Sequence, residues 1–154
     1  MLQRVQTVWL SALTLLSLSL VRGGIIQFNP GDGTIFTLGF SGISKDAGGI
    51  SEVVSGFIGL PLTIVLIPVL AITAIFLYKK IKLQKTVTLL VIAFSLCLMI
   101  ITLYYWYIIS HKFNGVPVPG IKMSFPPVIL VLAIMAYRGI VKDERLLKSY
   151  DRIR

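Results

Sequence analysis

Cys97 and His111 are the only thiol and the only imidazole in the chain, and a thiol beside an imidazole is the raw material of a nucleophile and its base. Their spacing denies that use. Cys97 falls in the middle of a long apolar run and His111 at its rim, so on one helix rising about 1.5 Å per residue they stand well over ~10 Å apart. One histidine and one cysteine cannot build a zinc site on paired ligands, and one cysteine cannot form an internal disulfide, so cysteine usage is silent on redox compartment. His111 is read as a polar group at an interface and Cys97 as a small packed hydrophobe. There is no G-x-S-x-G, no Walker loop and no dinucleotide fingerprint. Residues 29–33, "NPGDG", look superficially like a calcium loop but lack its regular acids and terminal glutamate. The expectation is a chain with no catalytic residues, no metal and no cofactor.

A different chemistry is concentrated in "YKKIKLQK", residues 78–85, where Lys79, Lys80, Lys82 and Lys85 sit between long runs of Leu, Ile and Val. The frame around them is apolar: 56% of the 154 residues are hydrophobic, 14% are charged, and mean hydropathy is +0.89, against about 25% charged residues in soluble domains. A bilayer core of about 30 Å needs about 20 helical residues. Four runs meet that need, roughly Val5 to Val21, Val53 to Tyr78, Thr86 to Ser110 and Ile121 to Val141, and the only charges within them are Lys122 near the start of the fourth and Arg138 near its end. They lack the alternation of barrel strands, so helices are the spanning form. The fold expected is an all-α membrane protein of one domain, residues 1–154, with four transmembrane helices.

Four spans put both termini and the lysine-rich connection on one side. That side carries eleven basic and three acidic residues, net +8, and the other carries four basic and three acidic, net +1. The positive-inside rule makes the basic side cytoplasmic. The lysines then form a tight cytoplasmic hairpin that resists translocation and contacts anionic headgroups, and no nucleic acid is expected as a partner. The first run could also pass for a secretory signal, but it exceeds the usual ~7 to 15 apolar residues and has no A-x-A pattern before Arg22.

The remaining features belong to positioning. In the outer loop, residues 22–52, "IIQF" and "TIFTLGF" read as a small extracytoplasmic β-hairpin around the Pro-Gly and Asp-Gly turn, with Phe36, Leu38 and Phe40 on one face. "SGISKDAGGISE" reads as a flexible stretch before Ser51 caps the second helix with Glu52 in its first turn. Pro61 and Pro68, seven residues apart, are expected to kink that helix and to free the carbonyls of Phe57 and Ile64. Tyr104, Tyr105, Trp106 and Tyr107 read as an outer aromatic belt, and Ser124 as a cap ahead of two first-turn prolines. Beyond Val141, in the tail 142–154, Leu146, Leu147, Tyr150 and Ile153 recur at helical spacing, bordered by Arg145, Lys148 and Arg152, with Glu144 four residues before Lys148. This predicts an amphipathic cytoplasmic C-terminal helix that docks on anionic lipid or on a protein partner.

"MLQRVQTVWL", "FLYKKIKLQ" and "YRGIVKDERLLKSYDRIR" together resemble an uncharacterised family of short four-span membrane proteins from Bacteroidota, catalogued as a domain of unknown function. The resemblance runs over essentially the whole chain, through Gln3, Arg4 and Gln6, then Tyr78, Lys79, Lys82, Leu83 and Gln84, then Arg138, Gly139, Ile140, Lys142, Asp143, Asp151 and Arg152. It implies a bacterial inner-membrane location with both termini in the cytoplasm, and it brings no activity. The leading functional expectation is a non-enzymatic accessory or scaffold subunit of a larger membrane complex, with protein partners in the membrane. The alternative is a small channel or carrier lined by Ser and Thr, and a membrane enzyme comes third. Transport coupled to ions usually places acids inside a span, and here none is found.

Overall fold

A computed structural model of the chain describes residues 5–29, 35–47, 50–55, 58–112 and 116–151. Among the described residues are four helices, α1 (Val5–Ser19), α2 (Gly59–Phe76), α3 (Ile81–Lys112) and α4 (Phe125–Asp151); a short connection joins α2 to α3, whereas residues 20–58 separate α1 from α2 and 113–124 separate α3 from α4. One-turn 3-10 segments, Leu77–Lys79 and Ile121–Ser124, lead into α3 and α4. Contacts run α1 to α2, α2 to α3, α3 to α4 and α4 back to α1, closing a four-helix ring.

The outer surface of this ring is what separates it from a water-soluble bundle. Its core holds Leu10, Leu13, Leu60, Ile64, Ile67 and Leu98, all fully buried, yet Leu15, Leu62, Val69, Leu89, Ile100 and Val131 point outward. A soluble bundle needs a polar outer face, and an apolar exterior of this extent requires another apolar phase. Among the described residues three segments, Gly59–Lys79, Ile81–Ile108 and Ile121–Leu146, are long and apolar enough to cross a membrane. α1, with 15 residues, rises about 22 Å, short of the ~30 Å hydrocarbon core. Small residues set the helix approach: Ala71 and Ala74 on α2 and Ala133 and Ala136 on α4 are fully buried, and without side-chain bulk the backbones pack closely.

At one end of the ring sits a five-stranded antiparallel sheet, ordered β4-β3-β2-β1-β5, from β1 (Ile26–Asn29), β2 (Ile35–Gly39), β3 (Gly42–Ala47), β4 (Ile50–Ser55) and β5 (Val116–Pro119). The β1–β2 hairpin occurs as the alternation predicts, with Ile26 opposite Leu38 and Phe28 opposite Phe36; its turn, residues 30–34, lies outside the described residues. Ile26, Phe28, Leu38 and Ile43 are buried, with Phe36 and Phe40 packed against them. Gln27 is exposed on the other face, where Ser44 Oγ donates to the Thr37 carbonyl at 3.2 Å.

The sheet corrects several expectations. The stretch read as flexible forms β3 and β4, and Ser51 and Glu52 lie in β4 instead of capping α2, which begins at Gly59 behind Ile58 with no side-chain cap. Strand pairing claims these residues because β2 offers an open edge, and tertiary pairing outweighs the weak β-propensity of Gly and Asp. β5 is "VPVP"; its prolines lack the N–H a central strand needs and fit an edge. Pro61 falls in the first turn of α2, where its missing N–H costs nothing, so no kink arises there. Pro68 lies inside α2 and is buried, leaving the Ile64 carbonyl without its usual donor. Phe57 lies outside the described residues. The four aromatics point in different directions: Tyr104 and Tyr107 are exposed, Tyr105 is buried and Trp106 packs on the core, since successive helical residues are about 100° apart. Cys97 is exposed and not packed. Lys122, the charge near the fourth run's start, lies in the 3-10 turn before α4 and donates through Nζ to the Arg22 carbonyl, 100 residues away in sequence.

Candidate functional site

At the end of the ring away from the sheet, the start of α1, the α2–α3 turn and the late turns of α4 converge. The α2–α3 connection is as tight as expected, Lys80 alone separating the 3-10 turn from α3. Lys79 and Lys80 are exposed on it, the Lys79 amine lying 5.8 Å from the centroid of the Tyr78 ring. Lys82 and Lys85 instead belong to the first turns of α3. There Lys85 Nζ donates to Glu144 Oε2 on α4 at 3.0 Å, so the carboxylate that the sequence pairs with Lys148 reaches across to another helix. Lys82, Lys85, Thr86, Leu89, Tyr137 and Glu144 line a groove of about 340 Å³ between α3 and α4.

A second groove, of about 260 Å³, lies on the other side of Tyr137. It is lined by Tyr137, Arg138, Val141, Lys142 and Arg145, and Arg138, Lys142 and Arg145 are all exposed. Of the tail residues expected to dock, Arg145 lines this groove and Leu146 is 51% exposed beside it. The side chains of Leu147, Lys148 and Tyr150, and residues Arg152 and Ile153, lie outside the described residues. α4 runs unbroken from Phe125 to Asp151, so residues 142–151 continue the helix as their spacing predicts.

Beneath this polar rim two carboxamides are buried, Gln6 on α1 at 2% exposure and Gln84 on α3 at 1%, and the Oε1 atom of each accepts no hydrogen bond. Gly139 on α4 lies against Gln6, where a Cβ would come within 3.3 Å of the Gln6 Cβ. Other buried polar groups are served locally: Thr14, Ser17, Thr63, Thr88, Ser95 and Thr102 each donate to a carbonyl three or four residues earlier. Among the described residues no group of three or more His, Cys, Asp or Glu side chains is placed to hold a metal. His111 is exposed and its ring stands 4.4 Å from that of Tyr107, at the sheet end and far from this site.

The family model described as domain of unknown function DUF4293 matches residues 2–153. The chain belongs to this family. No match was found among the curated proteins. For this DUF4293 chain, Tyr137 is the site residue that the sequence did not single out, and Gln6, Gln84, Arg138, Gly139 and Lys142 entered through the family resemblance, with no site role attached. The spacing of Arg138, Lys142 and Arg145, four and then three residues apart, is a single-face helical pattern and was available as a signal. The burial of the two glutamines was not, because nothing local marks them.

Proposed function

We propose that the chain is a multi-pass protein of the bacterial inner membrane, spanning it four times with both termini and the lysine-rich end in the cytoplasm. In this reading it acts as a non-enzymatic accessory or scaffold subunit of a larger membrane assembly, with lipid and protein partners and no nucleic acid. The observation that carries the reading is the combination of an apolar exterior on every helix with buried hydroxyls turned back onto their own backbones. Ser and Thr used in this way support packing and do not line a polar path, which disfavours the channel or carrier alternative. The charge difference between the two ends supports the orientation.

Orientation is tested in a Cys97→Ser background. Membrane-impermeant maleimide applied to intact spheroplasts is expected to label Gln27→Cys on the sheet and to spare Lys80→Cys on the turn, both exposed positions; the reverse pattern would overturn the assignment. The accessory role is tested by purifying the tagged full chain in mild detergent and identifying reproducible membrane partners. A chain recovered as a lone monomer at native expression level counts against it.

A further inference from the structure

We propose that the outward face of α4 holds an anionic phospholipid, its phosphate seated among Arg138, Lys142 and Arg145 and its acyl chains lying along Val131, Ile134 and Met135. The proposal rests on the membrane reading above and assigns one site and one ligand class within it.

Three observations lead there. At about 100° per residue, Arg138, Lys142 and Arg145 fall within roughly 60° of one another, and they line one groove with Tyr137 and Val141 and with no acid. Ala133, Ala136 and Ile140 on the opposite side of α4 are fully buried, so the basic face looks away from the bundle. Asp143, five residues past Arg138, lies about 140° round the helix, and Glu144 is turned to Lys85. The neighbouring groove holds Lys82 and Lys85 with the Glu144 carboxylate among them, net +1, against three positive charges and no acid on the Arg138 side. Arginine adds geometry to charge, since its planar fork matches two phosphate oxygens.

The second observation is that the same face continues as an apolar stripe. Val131, Ile134 and Met135 are 55%, 38% and 40% exposed, and they precede Arg138 by seven, four and three residues, within about 60° of its direction. A charged head and an apolar tail on one face describe an amphiphile. A free anion or an acidic peptide would use only the head. The third observation is depth. The apolar segment Ile121–Leu146 has 26 residues, about 39 Å against a core of about 30 Å, so its last six or so residues rise into the headgroup layer. Arg138 then sits at the hydrocarbon edge and Lys142 and Arg145 beyond it, beside the half-buried Tyr137, whose amphipathic ring suits that level.

The test uses the delipidated full chain in mild detergent, titrated separately with phosphatidylglycerol, phosphatidylcholine and inorganic phosphate, with retained lipid read by native mass spectrometry and thermal midpoint. Arg138→Gln, Lys142→Gln and Arg145→Gln are combined in one variant. A control combines Lys79→Gln, Lys80→Gln and Lys82→Gln, which removes the same charge from the same end. Phosphatidylglycerol is expected to bind in preference to phosphatidylcholine, and binding is expected to weaken at least about tenfold in the α4 variant and less than about threefold in the control. Circular dichroism checks the helices, and should the triple variant lose them, the exposed single change Arg145→Gln is expected to weaken binding about threefold. Equal loss in the control, equal binding of phosphatidylcholine, or phosphate alone reproducing the effect would each overturn the site. Release of the wild-type chain from membranes by alkaline carbonate defeats the membrane reading itself, whereas retention without phosphatidylglycerol preference defeats only this inference.

Discussion

Phe28→Ala is expected to release the sheet from the bundle while leaving the helices intact. Phe28 is 1% exposed, stands between Phe36 on β2 and Pro117 on β5 in the register of its two neighbouring strands, and stacks on the Phe36 ring at 4.9 Å and 12°. Truncating a buried phenylalanine costs about 3 to 5 kcal/mol, which for a small sheet on helix ends is much of its local stability. Lys45 is a built-in reporter, its amine lying 5.8 Å from the centroid of the Phe36 ring. In mild detergent, tryptic cleavage after Lys45 is expected to accelerate by at least about a hundredfold in the variant, with far-ultraviolet helicity nearly unchanged. A rate within about threefold of wild type would show that Phe28 does not hold the sheet.

Gly139→Leu is expected to part α1 from α4. Even the single methyl of Gly139→Ala meets the Gln6 Cβ at 3.3 Å and its Cα at 3.7 Å, and a branched side chain has no such room, so a penalty of about 1 to 3 kcal/mol is expected from overpacking. Trp9 on α1 packs against the core and becomes the sole tryptophan once Trp106 is replaced by Phe. In that background, Gly139→Leu is expected to shift Trp9 emission to the red and raise its quenching by acrylamide, with Gly139→Ala between the two. Unchanged emission in the leucine variant would mean that α1 is held by other contacts.

What could be read from the sequence follows how local each signal is. The long apolar runs place α3 and α4 because a span is written in consecutive residues, and the alternation Phe36, Leu38, Phe40 reveals the β1–β2 hairpin because its partner strand is a few residues away. β3 and β4 are hidden by glycines and polar residues whose strand character comes from the neighbour they pair with. β5 is hidden further, since Pro117 and Pro119 locally argue against a strand and its partner β1 precedes α2 and α3. The same division holds at the basic end. Lys82 and Lys85 stand out as charges, yet the Glu144 partner of Lys85 is 59 residues away and a nearer lysine, Lys148, offers the simpler pairing. Arg138, Lys142 and Arg145 could be counted as charge without knowing that Ala133, Ala136 and Ile140 turn them outward. The direction of a helix face is a property of the packed ring and not of the helix alone.

The β1–β5 ladder has a consequence for how the protein is made. Asn29 pairs with Val116, and nearly 90 residues of chain separate them, so at the usual ~5 to 20 residues per second the second strand leaves the ribosome on the order of 4 to 18 s after the first. The meander from β1 to β4 needs only its own neighbours and can form during that interval, whereas the fifth strand cannot arrive before α2 and α3 have been threaded. Its docking comes before the ring is complete, because α4 follows it in the chain: once Val116–Pro119 closes on β1, the ends of α1 and α3 are tied to one sheet and the entry to α4 is placed, and a chain arrested before that point presents β1 as an open edge to whatever handles nascent membrane proteins.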